Sequence, residues 1–245
     1  MITHTRIIIL KSIDYQESSK IITVLSEEHG RIAILVRGAK KPKSKFSGCI
    51  EPGYILDVVY YYKPNRSVQT LTEATVHTTF LGVLPSLERS ALVYSTIEIA
   101  AQLIHEGEKN EALYELITNI LIWLHNQEDI KLSVLIYIQI RAATTVGLNI
   151  DTDIQRVVND QDYFFNVETG SLSFSSEDTM SFKLSVQQAT FVWNVITSKN
   201  TRVLELDLKS SELKQLIRHL DVYFKYHIEG FKERKSDAIY EQLLS

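Results

Sequence analysis

The spacing of apolar residues changes once along the chain, and this change constrains the fold more than any other feature. Up to about residue 80, apolar and polar residues alternate and β-branched residues are frequent, as in half-buried strands. From Pro85 onward, apolar residues recur about every 3.6 positions, as in amphipathic helices. The sequence therefore predicts a two-domain α+β protein, with strands in 1–80 and helices in 81–245.

Five strands are predicted in the first domain. Ile32, Ile34 and Val36 share one face of the third strand, and Arg31 and Arg37 lie on the other face. Five short strands fit an OB-type β-barrel, a fold that commonly binds oligonucleotides, and an SH3-like barrel is the alternative. The predicted strands are 6–11, 19–25, 31–37, 54–62 and 67–76.

The second domain is predicted to be helical apart from an irregular segment at 149–182. Gly147 is expected to end one helix, and Ser185 with Gln188 forms a capping box that begins another. Within 149–182, a turn at 168–170 predicts a small hairpin. The expected helical stretches lie around 92–103, 113–124, 131–145, 185–198 and 210–230.

Composition excludes several classes of protein. The single cysteine, Cys49, allows no internal disulfide and no cysteine-rich zinc site. The apolar runs are far shorter than the ~20 residues that cross a bilayer, and the start resembles no secretory signal. We therefore expect a cytoplasmic protein.

Charge is distributed unevenly along the chain. Residues 1–80 contain 11 Lys and Arg against 7 Asp and Glu, a net charge of +4, whereas the remaining residues contain 15 against 23, a net charge of −8. Because the field near a surface depends on local charge, the overall charge of −4 is compatible with a basic face on the first domain.

The most basic segment is residues 37–45, which contains five cations and no acid. Gly38 and Pro42 keep the segment out of regular structure, so its side chains can follow a phosphate backbone. We expect the 38–53 loop to be mobile in the free protein; a solvated surface loop without a ligand is the alternative. The predicted DNA-binding cations are Arg37, Lys40, Lys41, Lys43 and Lys45.

Two further groups are candidate DNA contacts. Tyr60 and Tyr62 share one face of a predicted strand and are candidates for stacking on bases, although strand tyrosines more often pack in a core. Lys63 and Arg66 supply charge nearby. A second, weaker basic patch consists of Lys232, Arg234 and Lys235.

Sequence motifs of catalysis are missing. The histidines fit no zinc-binding spacing, and residues 38–45 lack the second glycine of a phosphate-binding loop. Acids at 151, 153, 160 and 162 are the basis of one alternative, a metal-dependent nuclease. A protein-only adaptor is another alternative. We expect no enzymatic activity, no cofactor and no metal.

Several motifs in order resemble the RecO family of bacterial recombinational repair. The resemblance rests on Glu28-His29-Gly30-Arg31, the segment 37–45, Glu51-Pro52-Gly53, Leu71-Thr72-Glu73-Ala74, Tyr226-His227 and Lys235-Ser236. It implies an OB barrel joined to a helical domain and a location at the nucleoid. It also implies binding to single- and double-stranded DNA, annealing of complementary strands, and recombinase loading with RecR, RecF and the single-strand-binding protein.

One departure from the family concerns zinc. Many members carry four cysteines in the region that corresponds to 149–182, and this chain has none there. The resemblance therefore implies a degenerate, cysteine-free module. We expect it to be held by apolar packing of Tyr163, Phe164, Phe165, Leu172 and Phe174.

Overall fold

A computed structural model describes residues 1–79, 86–198, 203 and 205–245. The predicted boundary at residue 80 and the residue Pro85 lie outside the described residues. The chain forms two compact units, Met1–Glu128 and Asp129–Ser245. The first two helices thus belong to the same compact unit as the strands, and the division at residue 80 stays a prediction from periodicity.

Five strands close into a barrel in the first unit. Neighbouring strands follow the order β1-β2-β3-β5-β4, β1 also pairs with β4, and only the β3–β5 pair is parallel. This closed order confirms the OB-type barrel over the SH3-like alternative. The strands are β1 (Ile2–Tyr15), β2 (Ser19–Ser26), β3 (Gly30–Val36), β4 (Ile55–Tyr61) and β5 (Val68–Thr78).

Alternation along β3 places its apolar residues as predicted. Ile32, Ile34 and Val36 are buried in the barrel, and the residues between them are partly exposed. Strand β1 is much longer than the predicted 6–11. Its far end pairs with β2 up to Tyr15, where both flanks face solvent and the alternation of apolar and polar residues gives little signal.

Two helices complete the first unit, α1 (Leu87–Leu103) and α2 (Glu111–Asn126). Each helix has an arginine at its C-terminal end. The guanidinium of Arg31 donates to the carbonyl oxygens of Ala101 and Ile104, at 2.9 Å each. The buried Arg89 donates in the same way to the carbonyl oxygens of Leu124, in the last turn of α2, and of Gln127, which follows the helix. Both arginines therefore satisfy carbonyls that a helix end leaves unpaired.

Gly30 allows the connection between α1 and α2 to approach the barrel closely. Its φ is +64°, and the next residue, Arg31, donates its backbone N–H to the carbonyl oxygen of Glu108 at 3.2 Å. A Cβ atom at Gly30 would lie 1.7 Å from that oxygen. Glycine is therefore required here both by the backbone conformation and by the space available.

The described residues of the second unit form four helices and a small sheet of order β6-β8-β7-β9. The predicted hairpin is present as β7 and β8, and the predicted capping box of Ser185 and Gln188 begins α4. Gly147 follows the end of α3 with a φ of +80°. The elements are α3 (Val134–Thr145), β6 (Asp151–Thr152), β7 (Tyr163–Asn166), β8 (Ser171–Ser173), β9 (Ser181–Leu184), α4 (Val186–Thr197), α5 (Ser210–His227) and α6 (Asp237–Leu243).

The hairpin is stabilised by a buried amide as well as by apolar packing. The Asn166 side chain donates to the hydroxyls of Ser171 and Ser173 and to the carbonyl of Ser175, and it accepts from Ser181 and from the backbone of Glu177. Of the aromatic and apolar residues expected to pack, Tyr163, Phe165 and Leu172 are buried and Phe164 is partly exposed, but Phe174 is 48% exposed. The expectation of purely apolar packing is therefore incomplete.

Replacement of Gly30 by alanine should strongly destabilise the first unit. A left-handed conformation alone costs a residue with a Cβ about 1–2 kcal/mol, and the collision with the Glu108 carbonyl adds to this cost. We expect Gly30→Ala to lower the free energy of unfolding by ~3 kcal/mol or more in urea titrations. Gly107→Ala is the matched control, because Gly107 has a φ of +77° but no atom within 4 Å of its Cβ position. Equal losses for both variants would contradict this interpretation.

Stability of the second unit should depend on the protonation of His219. Its ring stacks on Phe182 with centroids 4.0 Å apart, and burial lowers the pKa of His219 from 6.5 to about 4. The unfolded chain therefore takes up a proton between pH 6.5 and about 4 that the folded chain resists, so stability falls as pH falls through this range. Allowing for partial exposure of the ring, we expect the free energy of unfolding to fall between pH 7 and pH 4 by roughly 2 kcal/mol more in the natural protein than in His219→Phe.

The comparison with His219→Phe isolates this histidine from its neighbour Asp221. Burial raises the pKa of Asp221 to about 6, which acts in the opposite direction but is common to both proteins. Urea unfolding of the two proteins at pH 7 and pH 4 measures the effect. A stability difference that does not change with pH would show that the His219 ring is accessible to protons in the folded state.

Candidate nucleic-acid interface

The segment between β3 and β4, residues 37–53, is referred to below as the basic loop. It consists of successive turns closed by backbone hydrogen bonds such as that from Ser44 to Lys41 at 3.0 Å. Phe46, Cys49 and Ile50 are buried beneath these turns. The backbone N–H of Lys40 also donates to Ser18 in the turn between β1 and β2, at 3.0 Å. These contacts anchor the loop on the barrel, and its mobility in the free protein stays a prediction.

All five cations of the basic loop are exposed. Arg37, Lys41 and Lys43 have no acidic partner among the described residues. The Lys40 ammonium lies 2.8 Å from a carboxylate oxygen of Asp14 and lowers the pKa of that carboxyl. Lys45 donates to the carbonyl of Thr72 at 2.6 Å, with its ammonium 5.0 Å from the ring centre of Phe46. Four of the five cations, all except Lys40, are thus available to an anion without loss of an ion pair.

An uncharged surface of the barrel begins next to the basic loop. Cross-strand neighbours in this surface point outward together: Ile21 opposes Leu35, which opposes Thr70 on β5. All its members are partly exposed, whereas the residues between them on the same strands are buried. This surface is called the barrel face and comprises Ile21, Thr23, Ala33, Leu35, Val68 and Thr70.

Tyr60 was predicted as a base-stacking residue, and this prediction is wrong. Its side chain is completely buried, and its hydroxyl is 2.7 Å from Nδ1 of His29. Burial also raises the pKa of Tyr60 to about 12, so the phenol is uncharged at neutral pH. The exposed tyrosine of β4 is Tyr61, which is 50% exposed and lies opposite Thr70 of the barrel face. Side chains alternate along β4, so Tyr60 points into the barrel interior and Tyr61 points outward.

Tyr62 follows the end of β4 and is partly exposed. Its ring stacks on His29 with centroids 3.7 Å apart and an angle of 22° between the planes. Lys63 and Arg66 are exposed in the following turn. The buried amide of Gln69 orders this turn, since it accepts from the Lys63 N–H at 2.8 Å and donates to the Arg66 carbonyl at 2.7 Å.

The C-terminal basic patch is only partly available. Lys232 and Lys235 are exposed, but the Arg234 side chain is 1% exposed. Its guanidinium lies 2.7 Å from Asp221 and 2.8 Å from Asp237. The prediction that Arg234 contacts DNA is therefore wrong, because its guanidinium is buried and already pairs with two carboxylates of the same chain.

The acids of the alternative nuclease site, Asp151, Asp153, Asp160 and Asp162, are all exposed, and Asp162 pairs with Lys183 at 2.8 Å. Across residues 1–79, 86–198, 203 and 205–245, no group of three or more His, Cys, Asp or Glu side chains is arranged to hold a metal ion. No helix in this part of the chain has the length and apolar character needed to cross a membrane.

A closed barrel of this strand order, with exposed cations beside an uncharged face, belongs to the class of OB-fold proteins, many of which bind oligonucleotides. The family model for the recombination protein O N terminal matches residues 1–80, and that for the recombination protein O C terminal matches residues 84–237. The chain therefore belongs to the RecO family of DNA repair proteins.

Individual relatives are also named DNA repair protein RecO, and two of them align with this chain over their whole length. The DNA repair protein RecO of Chlorobium limicola is 25% identical over 260 residues, and that of Chloroherpeton thalassium is 24% identical over 258 residues; each alignment covers 100% of both chains. The DNA repair protein RecO of Salinibacter ruber is 30% identical over 156 residues, which cover 64% of this chain and 60% of that protein.

Replacement of Arg234 should test its structural role against the predicted DNA contact. Arg234→Met leaves Asp221 buried without its cation, and loss of one partner of a buried ion pair typically costs about 3–5 kcal/mol. We expect a loss of this size in urea unfolding, with unchanged DNA affinity of the folded protein. Lys235→Met is the control, because this exposed residue should alter stability by less than ~0.5 kcal/mol. Normal stability with weakened DNA binding in Arg234→Met would restore the DNA-contact interpretation.

Proposed function

We propose that this protein is a DNA repair mediator that binds single- and double-stranded DNA and anneals complementary strands. With RecR, RecF and the single-strand-binding protein, it helps to load the recombinase, and it acts at the nucleoid in the cytoplasm. One observation carries the DNA-binding part of the proposal. Five exposed cations, four of them without an acidic partner among the described residues, project from an anchored loop beside the barrel face.

Annealing follows from neutralisation of charge. Two DNA strands repel because each carries a charge at every phosphate, and a basic surface lowers the electrostatic cost of bringing them together. Base pairing then supplies the free energy without a catalytic side chain or a cofactor. Because the basic loop is anchored through Phe46 and Ile50, less conformational entropy is lost when its lysines bind phosphates.

The arrangement suggests a path for one strand. Its phosphates contact Arg37, Lys41 and Lys43, and Lys40 and Lys45 join them by giving up an exposed ion pair and a single hydrogen bond, which are weak interactions in water. Its bases then lie over the uncharged barrel face, where OB folds commonly bind oligonucleotides. Additional proposed contacts are Tyr62, Lys63, Arg66, Lys232 and Lys235, together with the exposed Tyr61.

Charge reversal in the basic loop is the direct test of this proposal. Replacement of Lys40, Lys41, Lys43 and Lys45 by glutamate should abolish most binding to single and double strands while the melting temperature hardly changes. Each phosphate contact on a single strand contributes about −0.7 to the slope of log affinity against log salt, so the slope should become flatter by roughly 3. Fluorescence anisotropy at several salt concentrations measures both quantities.

A matched control carries the same change in net charge at lysines that are not part of the basic loop. Replacement of Lys109, Lys131, Lys183 and Lys209 by glutamate should leave most of the affinity and the salt slope intact. If the two quadruple variants lose affinity equally, only net charge matters. If the loop variant binds with unchanged slope, the DNA site lies elsewhere.

Annealing distinguishes the proposal from its alternatives. Labelled complementary oligonucleotides are mixed with the protein in EDTA, and then with a divalent cation instead. We expect faster annealing and intact strands in both conditions. Cleavage that requires the cation would indicate a nuclease, and no effect on either strand would indicate a protein-only adaptor.

A further inference from the structure

A cleft of about 380 Å³ lies beside the turn that joins β4 to β5. Residues 62, 64–67 and 69 form most of its lining, together with Ile32 of β3 and with Glu106 and Gly107 between α1 and α2. This volume lies within the range of small-ligand pockets and suits a single nucleobase. Every residue that lines the cleft belongs to the first unit.

Hydrogen bonds and a ring stack hold the walls of this cleft in place. The Gln69 amide makes three hydrogen bonds to the backbone of Lys63 and Arg66, so the turn is ordered without a ligand. Tyr62 is supported by the ring of His29 on one face, and His29 is in turn held by the hydroxyl of the buried Tyr60. A fixed aromatic ring costs little entropy when another ring stacks on it.

We propose that this cleft binds one unpaired base of single-stranded DNA, which stacks on Tyr62, and thereby makes the protein prefer single strands to duplexes. The inference rests on the DNA binding proposed above and specifies how one class of DNA is recognised. Bases in a duplex are stacked on one another and can enter such a cleft only after extrusion, which costs a few kcal/mol.

The charges around the cleft suit a base better than a phosphate. Glu106 contributes a carboxylate to the lining, which disfavours an anion inside the cleft. Arg66 is exposed and has no acidic partner among the described residues, so it is available to the phosphate that follows the bound base. The DNA strand can therefore place one base in the cleft while its phosphate backbone stays outside the cleft.

Position along β3 connects the cleft with the barrel face. Ile32 lines the cleft, and the next residue, Ala33, belongs to the barrel face and pairs with Val68. From Ile32 to Arg37 of the basic loop, β3 rises by roughly 16 Å, at ~3.3 Å per residue. One short strand can therefore reach from the basic loop across the barrel face to the cleft.

The experiment compares single-stranded oligonucleotides that contain 2-aminopurine with their duplexes. Stacking on an aromatic ring quenches this base, so the natural protein should quench it in single strands. Tyr62→Ala should weaken single-strand binding roughly tenfold, since one base–aromatic stack is worth about 1–3 kcal/mol. Its duplex affinity and salt slope should stay unchanged, because no phosphate contact is lost.

Ser67→Trp fills the cleft from an exposed position and leaves the stack of Tyr62 on His29 in place, so it keeps the test decisive even if Tyr62→Ala folds poorly. It should give the same selective loss. Tyr226→Ala is the matched control, because Tyr226, which is 50% exposed, likewise lies beside a histidine but belongs to α5. Its affinity should not change.

Two results would overturn the cleft proposal: unchanged single-strand affinity in Ser67→Trp, or equal losses for single strands and duplexes. Neither would remove DNA binding by the basic loop, which is tested by charge reversal on both kinds of DNA. Conversely, a loop variant that binds DNA normally would refute the proposed site of DNA binding whatever the cleft variants show.

Discussion

The close approach of one carbonyl to one glycine is the constraint on which the first unit depends. Because Gly30 has no Cβ, the Glu108 carbonyl reaches the N–H of Arg31, and Gly107 donates back to the Arg31 carbonyl at 2.8 Å. The Arg31 side chain then holds the end of α1, while His29 on the other side of the glycine supports Tyr62. Three consecutive residues thus join the barrel, the helices and the candidate interface.

Much of the fold could be predicted from the sequence because burial in a barrel enforces alternation. The inward residues of β3 were identified correctly, and so was the capping box of Ser185. The elements that sequence reasoning missed are short or lie at an edge. Helix α6 spans seven residues and buries one of them, Tyr240, so periodicity cannot reveal it. Strands β6 and β9 have two and four residues, and they exist because β7 and β8 offer them backbone partners that are distant in sequence.

The candidate interface was predicted best where it depends on local composition and worst where it depends on pairing. A dense run of lysines between turn residues cannot be buried, so the exposure of the basic loop follows from the sequence itself. Which tyrosine faces the core cannot be derived in this way, because it depends on the register between β4 and β1, in which Tyr60 opposes Thr3. The burial of Arg234 could not be predicted from local sequence either. Its burial depends on Asp221, which lies thirteen residues earlier on α5, and no local pattern reveals that pair.

The small sheet of the second unit illustrates how a polar side chain can organise a module that contains no cysteine. A single amide, Asn166, offers two donors and one acceptor oxygen, and it joins β7, β8, β9 and the segment that connects them. Inside a protein such a network is stabilising only when all its members are satisfied. Every polar atom of the Asn166 side chain has a partner, and the side chain is completely buried. Convergent buried hydrogen bonds therefore supply the cross-linking that a hairpin of this size needs, and they do so with serine and asparagine, which sequence reasoning reads as ordinary loop residues.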